Sequence, residues 1–437
     1  MSSRSRFTRL APGSTVSSTE AGQGGLSFSG RTGYLIFASV VAPVFLLVAA
    51  WRTNSAKYRH WLLTAFVTMY GATILIQYDP TGEGSDGVRH LLMVYEHYVG
   101  MSFTQFIEDI WYVLTFQEGS ARGVKDLYKH IVSYFVGGLL GLPHLFFTVI
   151  AFVYGYFFTG SFLEIFKHVK WRKVNYVVLA FIALLFLVKN IEGVNTVRTW
   201  TGLWVLVYAC LKFYDTKNKR YIYLMLLPPL IHFGYFLMVL PALAVLLFGN
   251  RPKIYAILFV VSSATTIFNP GDMVDIVETT ERGAAAVNSY LVEERQTLQE
   301  RAEWALNLQG RWYRDFQFLG VQKWALNSLI YLLLAAGIYF TVMNYRQKTL
   351  FSIGLMTLAF SNMTWFLYAV SNRSWIIGCV FILAAFVMTR TDPATAPRLL
   401  RVAPKYYPLG LHFCLLLFIP YFLYNLSILV DYISLFM

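Results

Sequence analysis

The sequence predicts an all-α polytopic membrane protein, and three observations carry that expectation. Apolar runs long enough for helices recur from residue 32 to residue 428. Charged residues make up only 14% of the chain, against about 25% in an average soluble domain. The basic residues gather in the short links between the apolar runs. With 57% of the 437 residues hydrophobic, a soluble enzyme is excluded.

Residues 1–30 are rich in Ser, Gly and Thr and carry Arg4, Arg6 and Arg9. Such a composition buries too little apolar surface to fold, so a disordered tail is expected. The apolar stretch after Arg31 is too long for a signal peptide and lacks a small-residue cleavage site. Residues 31–437 then form a single transmembrane domain. Spans of about 20 apolar residues are placed at 32–51, 60–78, 143–166, 174–189, 199–212, 253–268, 324–344, 350–369, 374–389 and 406–428. The remaining run, 221–249, is interrupted by Pro228, Pro229 and Pro241. Each proline removes a backbone donor and clashes one turn back. Two short limbs, 221–232 and 234–249, are therefore expected, which gives about 11–12 hydrophobic segments with broken or re-entrant helices.

The net charge of +13 resembles a nucleic-acid signal, but its distribution is that of topology determinants. Arg52, Lys57 and Arg59 fill one link, Lys167, Lys170, Arg172 and Lys173 a second, Lys217, Lys219 and Arg220 a third, and Arg390, Arg398, Arg401 and Lys405 a fourth. With the basic links, including Arg251 and Lys253, on the cytoplasmic side, residues 79–142, 190–198, 269–323 and 370–373 fall outside, and 221–249 becomes a hairpin or an even number of crossings. The tail also falls outside, against the bias of its three arginines. Loop 79–142 contains two amphipathic stretches, VRHLLMVYEHYVG and FTQFIEDIWYVLTF, suited to a membrane surface. Loop 269–323 has helical spacing at Val287, Leu291, Leu298, Ala302 and Leu306, suited to covering a cavity. Cys210, Cys379 and Cys414 lie inside apolar runs and report nothing about redox compartment. There is no internal repeat.

The stretch from Lys189 to His232 concentrates the chemistry. Gly193 and Gly202 suggest loosened backbone on either side of Arg198, which heads an apolar run; His232 follows in the proline-broken one. An arginine and a histidine at membrane depth are costly unless they face protein or water, so they are functional candidates. Arg373 opens another span on the same side. A guanidinium holds phosphate oxygens bidentately and never loses its charge, so Arg198 and Arg373 suit a lipid-linked pyrophosphate; the competing reading is interfacial snorkelling. Glu192 and Asn195 could orient Arg198 or bind substrate hydroxyls. In the first outer loop, Asp86 and His90 share a helix face, with Arg89, Glu96 and His97 nearby. A carboxylate there could act as a general base. No HExxH or Cys/His spacing marks a metal site. In the large loop, Arg311 and Arg314 flank Trp312 and Tyr313, a pairing suited to a sugar ring. A phosphate loop, a nucleophile elbow and any Asp-x-Asp are missing. The last absence disfavours a metal-dependent enzyme that uses a nucleotide sugar.

Taken in order, Asp86 in SDGVRH, Arg198 in NTVRTWTGLWVLVYA, the Lys-rich KNKRYIY and His232 in PPLIHFGYFLMVLPAL resemble the EpsG-like family of membrane polysaccharide polymerases, within the broader Wzy class. That family commonly has Asp-x-x-Tyr, Arg-Gln and His-Ser where this chain has Asp86 to Arg89, Arg198-Thr199 and His232-Phe233. The likeness covers about residues 30–250; beyond them it rests on topology. It implies a GT-C-like glycosyltransferase architecture and a metal-independent, cofactor-free enzyme at the outer face of the bacterial inner membrane. The implied reaction joins oligosaccharide repeat units carried on undecaprenyl pyrophosphate, with a chain-length regulator and a flippase as partners besides membrane lipids, and no nucleic acid. Arg198 and Arg373 would stabilise the leaving pyrophosphate. Asp86, Glu192 or His232 would be the base. An O-antigen-ligase-like or lipid-phosphate-sugar glycosyltransferase is an alternative within enzymes. A transporter or flippase for lipid-linked sugars is an alternative outside them, although related halves are lacking and the polar candidates collect near one face.

Overall fold

The computed structural model describes residues 43–73, 86–115, 126–169, 171, 174–189, 191–264, 320–365 and 368–419. Among them the fold is all-helical, with no strand. Hydrocarbon offers backbone groups no partners, and a helix satisfies them within its own segment. Three helices, Pro143–Phe166, Tyr176–Thr196 and Val370–Thr391, are long and apolar enough to cross a membrane. Five shorter apolar helices of 10–17 residues accompany them. The N-terminal tail, most of the 269–323 loop, and Arg311, Trp312 and Arg314, for which the sequence sets expectations, lie outside the described residues.

Helices α1 (Val44–Arg52) and α2 (Ala56–Thr73) open the described chain. Both amphipathic stretches of the first predicted loop are helical, as α3 (Asp86–His97) and α4 (Phe103–Thr115). On α4, Phe103, Ile107, Trp111 and Leu114 are exposed, one apolar face at helical spacing. Short α5 (Leu127–Ser133) follows and leads by a wide turn into the long α6 (Phe146–Phe166). Helix α7 (Tyr176–Val188) is joined by a 3₁₀ turn, Ile191–Thr196, to α8 (Thr199–Thr216). Nearly all of α8 is buried, and its Trp204 indole donates to Tyr154 Oη of α6 at 3.0 Å.

The proline-rich run folds as two limbs of short pieces. The first holds α9 (Arg220–Met225) and α10 (Pro228–Ile231); the second holds α11 (Tyr235–Met238) and α12 (Leu240–Phe248). The bend falls at residues 232–234, the break the prolines predict. Helices α13 (Pro252–Ser263), α14 (Gly320–Ala335), α15 (Ile338–Thr341), α16 (Tyr345–Met363) and α17 (Tyr368–Thr391) come next. Helices α18 (Ala396–Val402) and Tyr407–Ile419 complete the described chain.

Three boundaries differ from expectation. The single span predicted at 324–344 is interrupted at Gly337, whose φ of +67° is a left-handed conformation that glycine adopts without steric cost. The predicted 374–389 span begins at Tyr368, so Arg373 lies within helix α17 rather than in the link before it. The 199–212 span continues to Thr216 because its charges find partners: Lys212 Nζ meets Glu164 Oε1 at 2.5 Å, and Asp215 meets Lys167 Nζ at 2.9 Å. Helices α16 and α17 pack closely through Gly354 and Gly378. A β-carbon on either glycine would stand 3.2 Å from the other's carbonyl oxygen, the close backbone approach that small residues permit between membrane helices.

Candidate functional site

Three side chains from distant parts of the sequence, Arg198, His232 and Arg373, are joined through a fourth, Asp126. Asp126 precedes α5 at its N-cap position, where an aspartate ordinarily accepts from the first-turn amides. It makes no such bond. Its Oδ2 accepts from Arg198 Nη1, while its Oδ1 accepts from His232 Nδ1 at 3.1 Å and from the Phe233 backbone N–H at 2.8 Å. Arg373 Nη1 lies 2.9 Å from His232 Nε2. The result is one continuous chain, Arg198–Asp126–His232–Arg373.

This geometry fixes the histidine tautomer. A guanidinium only donates and does not deprotonate, so His232 Nε2 accepts from Arg373 and Nδ1–H donates to Asp126. The imidazole is neutral in this arrangement. A proton on Nε2 would set imidazolium against guanidinium and break that contact.

Local structure explains each placement. Val197 has φ +53°, unfavourable for a β-branched residue, and this kink sets Arg198 at the head of α8. His232 terminates α10, four residues after Pro228, with extended backbone. Gly202, read above as loosened backbone, has an ordinary φ; its role is close packing. A β-carbon there would come within 2.7 Å of the Tyr235 ring, whose hydroxyl donates to the Thr199 carbonyl at 2.6 Å. Gly193 likewise admits Tyr154, whose hydroxyl would lie 2.7 Å from an added β-carbon. These glycines let the segment after the 232–234 bend and the 3₁₀ turn pack tightly near His232 and Arg198.

Burial divides the cluster. The side chains of Asp126 and His232 are 1% and 7% exposed, whereas that of Arg198 is 25% exposed. Burial alone would raise the Asp126 pKa. The His232 hydrogen bond, the Arg198 charge and the Phe233 amide outweigh it and hold the carboxyl well below the usual range. His90 on α3 is buried beside the cluster. Burial first, then Lys129 and Arg198, lower its pKa to about 2, with Asp126 opposing in part. Its neighbourhood is thus positive: Lys129, Arg198 and Arg89 against one carboxylate, Asp126, among the groups acting on it.

The other predicted residues are placed as follows. Asp86 opens α3, and the adjacent Gly87 abuts Asn195, whose Oδ1 would lie 3.7 Å from an added β-carbon. Asn195 therefore stands where α3 meets the 3₁₀ turn, with Glu192 on that same turn. The side chains of Asp86 and Glu192 lie outside the described set. Arg89 is exposed on α3. Among the described residues no cluster of three His, Cys, Asp or Glu side chains is arranged to hold a metal ion. Asp126 had no distinctive sequence signal, since KDLYKHIV reads as an ordinary helix cap. No family model, curated protein or solved structure matches this chain. Fold and site together define an all-α membrane protein with a buried, cation-rich polar cluster.

Proposed function

We propose that the chain is a glycosyltransferase-type polymerase. It joins oligosaccharide repeat units carried on undecaprenyl pyrophosphate into an exported polysaccharide, at the outer face of a bacterial inner membrane. The observation that carries the reading is the continuous Arg198–Asp126–His232–Arg373 chain. Two guanidinium groups bracket a neutral histidine backed by a buried carboxylate, the composition a pyrophosphate leaving group and a hydroxyl acceptor require.

The steps follow from the hydrogen bonds. In the resting site Arg373 occupies the His232 Nε2 lone pair. A pyrophosphate arriving between the arginines draws Arg373 onto its oxygens, since a charge-assisted bond to phosphate is stronger than one to a neutral imidazole. His232 Nε2 is then free to accept the proton of the acceptor sugar's hydroxyl. That oxygen bonds to the anomeric carbon of the donor as the bond from carbon to pyrophosphate oxygen breaks. The electron pair leaves on the phosphate, where Arg198 and Arg373 stabilise it. Asp126 accepts from Nδ1–H throughout and stabilises the imidazolium, the supporting role a buried aspartate plays in a catalytic triad. Among the three candidate bases this arrangement favours His232. Arg311, Trp312 and Arg314 are proposed to contact the sugar, and Arg89 and Asn195 to line its approach.

The test uses purified protein with a lipid-pyrophosphate oligosaccharide and no nucleotide sugar. The proposal expects a ladder of lengthened products, lost in Arg198→Ala at unchanged expression. Transfer of intact substrate across vesicles without elongation would instead identify a flippase, and full elongation by Arg198→Ala would remove that arginine from the mechanism.

A further inference from the structure

A second site lies at the other end of the same helices. Arg198 heads α8 and Asp215 closes it, roughly 25 Å apart at the rise of an α-helix; Arg373 and Asp392 are similarly separated along α17. Between the ends of α6, α8, α16 and α17 is a cavity of about 330 Å³, lined by Tyr214, Arg346, His168 and Asp392 among others.

Its lining has two poles. At one, the Arg346 guanidinium is held by Asp215 and Glu164, yet its Nε is buried without a partner. Beside it Tyr214, only 6% exposed, has a buried hydroxyl with no hydrogen-bond partner among the described residues. Leaving a buried hydroxyl unsatisfied costs about 1–3 kcal/mol, which a polar occupant hydrogen-bonded to it would recover. Lys217 adds a further positive charge, its Nζ 5.1 Å from the Tyr214 ring centroid and 4.5 Å from that of Tyr345. At the other pole Asp392 accepts only from neutral donors: Asn344 Nδ2 at 2.9 Å, Gln347 Nε2 at 3.1 Å and the Ala394 N–H at 2.8 Å. No described cation pairs with it. Asp215, by contrast, is neutralised by Lys167 and Arg346.

We infer that this cavity binds an aminoalkyl phosphate. Its phosphate accepts from Arg346 Nε, the Tyr214 hydroxyl and His168, and its ammonium donates to Asp392. A carboxylate has about four acceptor positions, and the three donors present leave room for one more. The chemistry is shared by an ethanolamine-phosphate lipid headgroup and by free phosphoethanolamine. The cavity's place at the helix ends, where a hydrocarbon slab of about 30 Å would give way to headgroups, favours the lipid.

The test uses the full chain in detergent, stripped of lipid, with retention read by native mass spectrometry. Chain-matched phosphatidylethanolamine, phosphatidylcholine and phosphatidylglycerol are compared, with phosphoethanolamine in a separate arm. The inference expects ethanolamine lipid to be retained about tenfold over the other two, because a quaternary ammonium has no N–H to donate to Asp392 and glycerol has no charge. Asp392→Asn should abolish the preference. Tyr214→Phe removes a hydroxyl that is unsatisfied when the cavity is empty, so the lipid-stripped variant should melt no lower than wild type while retention weakens several-fold. Competition by phosphoethanolamine would identify a water-soluble occupant; retention of the lipid alone would identify the headgroup. Equal retention of the three lipids without phosphoethanolamine binding, or wild-type retention by Tyr214→Phe, overturns the inference. Elongation is not part of the readout, so the result stands apart from the proposed polymerase activity.

Discussion

Truncating Asp126 is the most revealing single perturbation. Asp126→Ala removes a carboxylate that accepts from Arg198, His232 and the Phe233 amide. Breaking a buried ion pair by deleting one partner costs about 3–5 kcal/mol. The Arg198 side chain is a quarter exposed, so water recovers part of that, and the expected loss is about 3 kcal/mol, the lower end of the range. Asp126→Asn keeps an acceptor and loses the charge, for which about 1–2 kcal/mol is expected. The assay is denaturant-induced unfolding in mixed micelles, followed through tryptophan fluorescence, on wild type, Asp126→Ala, Arg198→Met and the double variant. Once Asp126 is gone Arg198 loses its carboxylate partner, so the double variant should be more stable than the sum of the singles by about 2 kcal/mol. Additivity within about 0.5 kcal/mol would show that the two side chains do not interact and would refute the connected cluster.

Four further outcomes follow from the same geometry. The folded pKa of His90, about 2, lies below its unfolded value near 6.5. Its contribution is therefore complete above pH 6.5 and lost as pH falls, by about 1.4 kcal/mol per unit; at pH 5 the loss is about 2 kcal/mol. His90→Gln should flatten the acid limb of a stability–pH curve, and an unchanged limb would contradict the buried neutral imidazole. Gly202→Ala places a methyl 2.7 Å from Tyr235 and should cost about 1–3 kcal/mol and most of the elongation activity; melting and product ladders check both. Arg198→Lys should not rescue Arg198→Ala, because an ammonium cannot reach Asp126 and a phosphate with the same planar fork. Treatment with a chelator should leave elongation unchanged, and strong inhibition would argue for a metal-dependent reaction.

The helical class and most helix positions were legible in the sequence because membrane burial writes itself as long apolar runs. The break in the proline-rich run was legible too, since Pro228, Pro229 and Pro241 interrupt a continuous helix. Charge bookkeeping expects Arg198, His232 and Arg373 at one rim from the basic links alone; that hydrogen bonds join them through Asp126 is visible only in the folded chain. Asp126 escaped because a single aspartate before an amphipathic helix is locally indistinguishable from a cap. Its partners are 72 and 106 positions away, and only the folded chain reveals them. The meaning of Gly193 and Gly202 was also hidden, since composition records an absent side chain but not the tyrosine that fills its space. The break at Gly337 was missed because the flanking residues are apolar on both sides.

The central claim is that Arg198 and Arg373 jointly receive a pyrophosphate. The direct measurement is the affinity of a short polyprenyl pyrophosphate and of its monophosphate for wild type and for Arg373→Gln. Losing one charge-assisted contact costs about 1.5–3 kcal/mol, a factor of about ten or more. The account predicts at least tenfold tighter binding of the pyrophosphate by wild type and little discrimination by the variant. Equal affinity of wild type for the two ligands, or undiminished discrimination in Arg373→Gln, would contradict it.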